Sequence, residues 1–153
     1  MTSSQQARIV SVQLCVGQRE PMRVVEEANV IARFGIEGDR HGTSEGVRMA
    51  RQVLLMDKET LESFGLSYGE VRENITTSGI ELSALEAGQK VALGDEVVLR
   101  ITGHCEPCAR MDEIRPGLRL EIDKKRGMLA YVVEGGAIKV GDAVRVLEGA
   151  TTS

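Results

Sequence analysis

Short runs of alternating apolar residues, separated by turns that contain glycine, recur along this chain and constrain its fold most strongly. The segment Arg8–Leu14 alternates in this way and predicts a strand. A nearly continuous apolar run over residues 52–56 predicts a buried strand, and 17 glycines supply turns. Many short strands joined by glycine turns are typical of a barrel or a sandwich. We therefore expect a mostly β fold.

Two segments resemble each other and predict tight turns. The runs KVALGDEVVL (90–99) and IKVGDAVRV (138–146) both place Gly-Asp between alternating apolar residues. Glycine at the first central position suits a type II′ turn, whose twist matches that of paired strands. We therefore interpret both segments as hairpins that shape the fold and do no chemistry.

Two short helices are also predicted. Residues 58–64 carry apolar side chains at helical spacing and stop at Gly65. A second helix is expected directly after Cys108, because residues 111–114 combine helical spacing with acidic side chains. Pro116 ends it, since the residue before a proline is disfavoured in a helix.

The composition excludes several classes of protein. The chain has 153 residues, of which 42% are hydrophobic, and this suits one folded domain. A formal charge of -4 and an aromatic content of 3% argue against nucleic-acid binding. The apolar runs are too short to span a membrane, and residues 1–6 are polar, so we expect neither a membrane span nor a secretory signal. The odd number of cysteines, 3, indicates a reducing compartment, and we expect a cytoplasmic protein.

Residues 102–116 contain the strongest chemical signal. Cys105 and Cys108 follow an alternating apolar run and are separated by two residues. A thiol at the end of a strand is held by the scaffold and stays accessible to a ligand. Nearby cations, His104 when protonated and Arg110, favour the reactive thiolate.

This C-x-x-C spacing has four interpretations. It could be half of a zinc site, although only Cys15, His41 or His104 could complete the ligands. A thioredoxin-like redox pair would need βαβ units, which the pattern does not predict. A single nucleophilic or metal-ligating thiolate needs only exposure and positive surroundings. The fourth interpretation is a pair of packed cysteines in a turn.

Two other polar segments could bind an anion. The segment GIEGDRHG (35–42) brings backbone N–H groups close to a ligand because glycine permits positive φ, and arginines lie nearby. In EVRENITTSG (70–79), Arg72 and Asn74 alternate on one face of an extended stretch and offer a cation and an amide. Ordinary exposed turns explain either segment as well.

Taken in order, these segments resemble the MOSC domain, a family named after the C-terminal domain of molybdenum-cofactor sulfurases. The resemblance runs over residues 8–147 and rests on GIEGDRHG (35–42), RQVLL (51–55), RENI (72–75), PC (107–108) and GGAIKVGD (135–142). It implies a mostly β, compact, barrel-like domain with a few short helices. We expect this single domain over residues 8–148, between flexible tails at residues 1–7 and 149–153.

The resemblance also implies which residues act. Cys108 matches the family's cysteine and would be both the catalytic thiolate and the ligand of molybdenum, with Cys105 as a second catalytic thiol. Six residues are expected to bind the molybdenum cofactor (molybdopterin), mainly at its phosphate: Arg72, Asn74, Gly38, Asp39, His41 and Arg51. We expect Cys108, Arg72, Asn74, His41 and Asp39 to line one cleft.

Three functions follow from these predictions. The first is binding of the molybdenum cofactor, for cofactor handling or for reduction of N-hydroxylated compounds with an external electron-donor protein. The second is a sulfur carrier that takes sulfane sulfur from a cysteine desulfurase, to serve a metal–sulfur cluster or the cofactor. Pyridoxal phosphate would then be bound only by that partner. The third is a non-catalytic zinc-binding interaction module that uses Cys105, Cys108 and His104.

Overall fold

The computed structural model describes residues 6–17, 20–44, 46–106, 109–122, 125 and 127–147. Cys108 and most of both predicted tails lie outside these residues. The described chain forms strands β1 Arg8–Leu14, β2 Arg23–Val25, β3 Glu27–Ile31, β4 Gly35–Ile36, β5 Val53–Asp57, β6 Ile75–Ser78, β7 Lys90–Leu93, β8 Val97–His104, β9 Met128–Glu134, β10 Gly136–Lys139 and β11 Val144–Leu147. Its α-helices are α1 Lys58–Ser63, α2 Ala109–Ile114 and α3 Leu118–Glu121.

Eight of these strands form one sheet in the order β11-β7-β8-β9-β5-β6-β1-β2, and β10, β3 and β4 form a second sheet. The β5–β6 pair is parallel, whereas the other pairs among the described strands are antiparallel. A bridge between Arg8 and Ala143 joins β1 to the residue before β11, so opposite ends of the large sheet approach each other. The sheet is therefore barrel-like without closing into a continuous ring, and the predicted mostly β class is confirmed.

Buried apolar side chains lie on both sides of β5, as its continuous apolar run predicts. All five residues of β5 are buried. Leu55 packs with Leu99 in the core between the strands. Met56 packs with Leu61 and Met111 against the helices. Neighbouring residues of a strand point to opposite faces, so a strand covered on both faces needs no alternation of apolar and polar residues.

The two predicted helices are both present. Asp57 caps α1, since its Oδ2 accepts a hydrogen bond from Thr60 N at 3.1 Å. The helix ends at Ser63, and the predicted stop, Gly65, follows two residues later with φ 71°. Helix α2 starts directly after Cys108 and ends before the Arg115-Pro116 pair.

The Gly-Asp turns differ from the prediction. Leu93 pairs with Val97, so the β7–β8 hairpin has a three-residue loop instead of a two-residue type II′ turn. The second Gly-Asp, at residues 141–142, does not form a hairpin, because β10 pairs with β3 and β11 pairs with β7. Asp142 O instead accepts a hydrogen bond from Ile9 N at 2.8 Å. Both segments have the same local pattern, but the conformation of the second is determined by pairing with strands that are distant in sequence.

The pairing of β1 with β6 brings distant segments to one edge of the sheet. These strands are antiparallel, with Val12 opposite Ile75, so the end of β1 lies beside the beginning of β6. Cys15 follows β1, and residues 72–74 precede β6. The loop after β4 reaches the same edge, where Arg40 N donates to Cys15 O at 2.8 Å.

Candidate functional site

Asn74 holds three segments together beneath this edge. Its Oδ1 accepts from Leu54 N at 3.0 Å, and its Nδ2 donates to Gln13 O at 3.2 Å and to Asp39 Oδ1 at 2.9 Å. The residue is 2% exposed. An amide group has two N–H donors, and both are used within the protein. Asn74 therefore stabilises the loops from the protein interior, and its amide is not directed to a ligand.

Asp39 is the second buried residue that links several segments by hydrogen bonds. Its Oδ1 also accepts from Cys15 N at 2.6 Å, and its Oδ2 accepts from His41 N at 3.0 Å. The His41 Nδ1 atom lies 3.2 Å from the same Oδ2. The Asp39 side chain is fully buried, whereas that of His41 is 48% exposed. The predicted residues Asp39, His41 and Asn74 are thus brought together, with the imidazole at the surface.

The hydrogen bonds to Asp39 also set its charge. Burial alone would raise the pKa of Asp39, but the hydrogen bonds from the His41 side chain and from the backbone N–H groups of Cys15 and His41 outweigh it and lower the pKa below its ordinary value. Asp39 is therefore a carboxylate at neutral pH, and its negative charge is directed to backbone N–H groups and the His41 ring.

Arg72 contacts a cysteine that the sequence pattern did not single out as a site residue. Its Nη2 donates to Cys15 Sγ at 3.0 Å and to Gly17 O at 2.7 Å, and its Nη1 donates to Glu20 O at 2.5 Å. The backbone of Arg72 has φ 70° and closes a turn through its N–H to Gly69 O. A non-glycine residue in this region costs about 1–3 kcal/mol and is frequent at functional sites. Arg72 thereby fixes the Cys15 sulfur and the loop after β1.

The position of Arg72 corrects one prediction. Arg72 and Asn74 do not alternate along an extended stretch, because Arg72 ends a turn and β6 begins only at Ile75. The guanidinium therefore reaches Cys15, while the Asn74 amide is directed to Asp39 and Gln13.

A cleft of about 560 Å³ opens beside Arg72. Its apolar side chains include those of Met22, Val24, Tyr68 and Ile114, and its carboxylates are those of Glu70 and Glu113. Glu113 and Ile114 belong to the last turn of α2, the helix that begins directly after Cys108. Arg72 and the segment that follows the predicted cysteine thus border one cavity, whose size is typical of small-molecule sites.

The other predicted residues lie apart from this group. Cys105 is 2% exposed and packs in a small apolar cluster with Leu54 and Leu129. Gly38 is exposed at the turn before Asp39, with φ 91°. Arg51 is exposed at the end of a 3₁₀ segment, Gly46–Arg51, that packs on β9. None of these positions is in the contacts that link Arg72 to Asp39.

The roles predicted for Cys108 stay predictions, because this residue lies outside the described residues. Within the described ranges, histidine, cysteine and acidic side chains form no group of three or more that could hold a metal ion. Of the described cysteines, Cys15 is a free thiol. The described part of the chain thus offers no support for the zinc-binding alternative.

The fit of the molybdenum cofactor to the described residues is partial. The cleft is large enough for an organic cofactor, and Arg72 supplies a cation at its edge. However, several donors of Arg72 are bound to backbone carbonyls, the Asn74 amide faces inward, and two carboxylates border the cleft. A phosphate prefers convergent cationic donors. Of the side chains predicted to contact the phosphate, Arg72 is the one that lines the cleft.

Comparison with known proteins identifies this fold. A model of the MOSC domain matches residues 39–145, so the chain belongs to the MOSC domain family. Its structure is similar to that of the YUAD protein from Bacillus subtilis, with a TM-score of 0.75 and 18% identity over 92% of this chain and 95% of that one. It is also similar to YiiM from Geobacillus stearothermophilus, with a TM-score of 0.71 and 19% identity over 94% of this chain and 78% of that chain.

YiiM from Escherichia coli gives a TM-score of 0.67 and 15% identity, over 92% of this chain and 70% of that chain. No curated protein matches the sequence significantly. These likenesses show a shared fold.

In the described part of the chain, no helix has the length and apolar character needed to cross a bilayer.

Proposed function

We propose that the cleft binds the molybdenum cofactor, with the Cys108 thiolate as the metal ligand and Arg72 at the phosphate end. The observation that carries this proposal is that Arg72 and α2, which starts directly after Cys108, line the same cleft. A soft thiolate suits molybdenum, and metal binding keeps it deprotonated. The bound cofactor would supply two-electron redox chemistry for the reduction of N-hydroxylated compounds, with electrons from a donor protein.

The chain's own residues prepare this site. Asp39 and Asn74 fix the loop after β4 against β1 and β5. Asp39 also orients the half-exposed His41 ring at the surface. Arg72 holds the loop after β1 by its hydrogen bonds to Gly17 O and Glu20 O. These hydrogen bonds hold the loops beside the proposed site in fixed positions, as a cofactor site requires if its ligands are to be oriented.

The test is the cofactor content of protein produced in a host that makes the molybdenum cofactor. Cys108→Ser should abolish molybdenum and pterin retention and leave thermal stability little changed. The matched control is Cys105→Ala, which removes a thiol from the apolar cluster of Leu54 and Leu129 and should retain the cofactor. Wild-type protein that carries no molybdenum or pterin would contradict the proposal. Zinc in the wild type, lost equally in both variants, would support a structural metal site instead.

A sulfur carrier is the second candidate, favoured by the lack of a convergent phosphate cradle in the described part of the cleft. The Cys108 thiolate would attack the terminal sulfur of a desulfurase persulfide. A new S–S bond would form on Cys108, and the desulfurase thiolate would leave. Pyridoxal phosphate would be needed only by that desulfurase. The free thiol of Cys15 suits the reducing cytoplasmic setting that we propose for this exchange.

This candidate is tested by mass spectrometry after incubation with a cysteine desulfurase and cysteine. Transfer of one sulfur atom should add about 32 Da to the Cys108 peptide, and Cys108→Ser should abolish the adduct. An adduct without any bound pterin would favour the carrier over the cofactor enzyme. The absence of an adduct, with pterin retained, would exclude the carrier.

A further inference from the structure

Glu73, between Arg72 and Asn74, carries a buried carboxyl that the proposed function does not use. The residue is 0% exposed. Its Oε2 accepts from Gly69 N at 2.7 Å and from Thr76 Oγ1 at 2.8 Å. Its Oε1 has no hydrogen-bond partner among the described residues. A buried carboxyl with one bare oxygen is costly, so its retention needs a structural reason.

The contacts of Glu73 join the turn that carries Arg72 to two strands. Gly69 begins this turn, and Arg72 N closes it by donating to Gly69 O at 2.9 Å. Thr76 belongs to β6, and Gln13 of β1 donates through Nε2 to Glu73 O at 2.9 Å and to Thr76 Oγ1 at 3.3 Å. The Glu73 carboxyl thus connects the start of the turn to the sheet, while the end of the turn carries the Arg72 guanidinium.

We propose that Glu73 is a positioning residue, whose carboxyl holds the turn over residues 69–72 on β1 and β6 and so keeps the Arg72 guanidinium on Cys15. This role deepens the proposed function, because it rests on Arg72 as the cation of that site. Arg72 has φ 70°, a conformation that persists only where the surrounding structure enforces it. The two hydrogen bonds to Glu73 Oε2 supply that constraint.

The neutral form of the carboxyl suits this role. An ionised carboxylate with one bare buried oxygen would lose far more hydration than a neutral acid loses. Burial raises the pKa of Glu73, and the hydrogen bonds from Gly69 N and Thr76 offset this only in part. The groups that act on the carboxyl are uncharged: the Thr76 hydroxyl of β6 and the backbone N–H groups of Gly69, Val71 and Glu73 itself. The charged neighbours in its loop are directed elsewhere, Arg72 to Cys15 and Glu70 to Ser67 N.

The test measures how fast N-ethylmaleimide modifies Cys15, by mass spectrometry of the Cys15 peptide. Cys15 is 2% exposed, so the maleimide reacts only after the loop after β1 has opened and the guanidinium has left the sulfur. The hydrogen bonds of Arg72 therefore slow the reaction by keeping this loop closed, although a cation beside an accessible thiol would favour the reactive thiolate. Glu73→Leu removes both hydrogen bonds to the carboxyl, so the loop should open more easily and the rate should rise about tenfold, the effect of one lost hydrogen bond. Glu73→Gln keeps an oxygen for Gly69 N and Thr76 and should react like the wild type. Arg72→Ala should also be fast, and adding Glu73→Leu to it should give no further increase.

Two controls separate positioning from general destabilisation. Thr77→Val removes another buried hydroxyl of β6 that lacks a partner among the described residues, and it should leave the rate unchanged. Leu99→Ala weakens the core of β8 away from the turn and should also leave the rate unchanged under native conditions. An equal increase in Leu99→Ala and Glu73→Leu, or an additive effect of Arg72→Ala and Glu73→Leu, would overturn the proposal.

A measurement on the wild type decides the matter if Glu73→Leu does not fold. The ¹³Cδ shift of Glu73 should titrate at a pH above the ordinary value of about 4.3, because burial raises its pKa, whereas ionisation at or below that value would overturn the preference for the neutral form. Glu73→Gln reacting as fast as Arg72→Ala would overturn it too. None of these readouts needs the cofactor. A protein without pterin but with the expected alkylation pattern would therefore fail the proposed function alone.

Discussion

Replacement of Asp39 tests whether one buried carboxylate holds the candidate site together. Asp39→Ala leaves Cys15 N and one N–H of the Asn74 amide without their acceptor, and both residues are nearly inaccessible to water. Each buried donor left unpaired costs about 1–3 kcal/mol. We therefore expect the free energy of unfolding to fall by about 2–6 kcal/mol. For a chain of this size, the smaller figure already lowers Tm by about 4–8 °C.

Asp39→Asn should cost less. One oxygen is retained, and it should stay on Cys15 N and Asn74 Nδ2, because both donors are buried. The new amide N–H group would then face His41, whose half-exposed ring can turn or use water instead. We expect a loss of about 1–2 kcal/mol, because the hydrogen bonds from His41 N and from the His41 ring to Oδ2 are both lost, but both groups belong to an exposed residue that water can reach.

The same variant predicts a pH dependence. The pKa of Asp39 is lower in the folded chain than in the unfolded chain, so the carboxylate stabilises the fold above the ordinary value of about 3.9. This stabilisation is lost as the pH falls from that value through the folded pKa. The stability difference between wild type and Asp39→Asn should therefore shrink as the pH falls from about 5 to below 3.

The assay is urea unfolding followed by far-UV circular dichroism, because the chain has 0 tryptophans. The control is Asp142→Ala, which removes a turn carboxylate that accepts from Lys139 N at 2.9 Å outside the site. That change should cost about 0.5–1.5 kcal/mol. If Asp39→Ala were no less stable than Asp142→Ala between pH 3 and pH 7, the conclusion that Asp39 links the segments of the candidate site would be refuted.

Two further predictions concern the backbone and the second carboxyl. Gly127→Ala should cost about 1–3 kcal/mol, because its Cβ would lie 2.5 Å from Leu55 O at φ 136°. Gly88→Ala, at φ 99° with open space around the Cβ, should cost less in the same urea assay. Wild-type stability should also decline as the pH rises from about 4.3 through the folded pKa of Glu73, since the raised pKa makes ionisation costly, and Glu73→Gln should lack this decline. A wild type and a Glu73→Gln variant with parallel pH profiles would contradict this.

Local signals were sufficient for α1 and α2 and for the strands β1, β5, β7 and β8. Asp57 and Gly65 bound α1 through side-chain capping and a positive φ, which are properties of single residues. The Arg115-Pro116 pair ends α2 for an equally local reason. The hairpin predicted at the Gly-Asp pair of residues 141–142 is wrong, because a local pattern does not determine which strand another strand pairs with. The strands on either side of this pair, β10 and β11, pair with β3 and β7, which are distant in sequence, and not with each other.

The Cys15–Arg72 contact was not accessible from local pattern. Cys15 follows an alternating strand just as Cys105 does, so position alone did not distinguish the two thiols. Their surroundings differ because antiparallel pairing of β1 with β6 carries Arg72 to Cys15 across 57 positions of the chain. The left-handed backbone of Arg72 adds to this, since a non-glycine residue is seldom expected there.

The arrangement of the family segments explains why the resemblance predicts the scaffold better than the ligand contacts. Residues 35–42 and 72–75 meet because Asp39 and Asn74 bind each other and the backbone of β1. Their polar groups are thus used to join loops, and a ligand can take them only by displacing these bonds. Apart from Arg72, the side chains that line the cleft, among them Tyr68, Glu113 and Ile114, lie outside the family segments. Ligand choice at the proposed site would therefore depend mainly on residues that the family pattern does not specify.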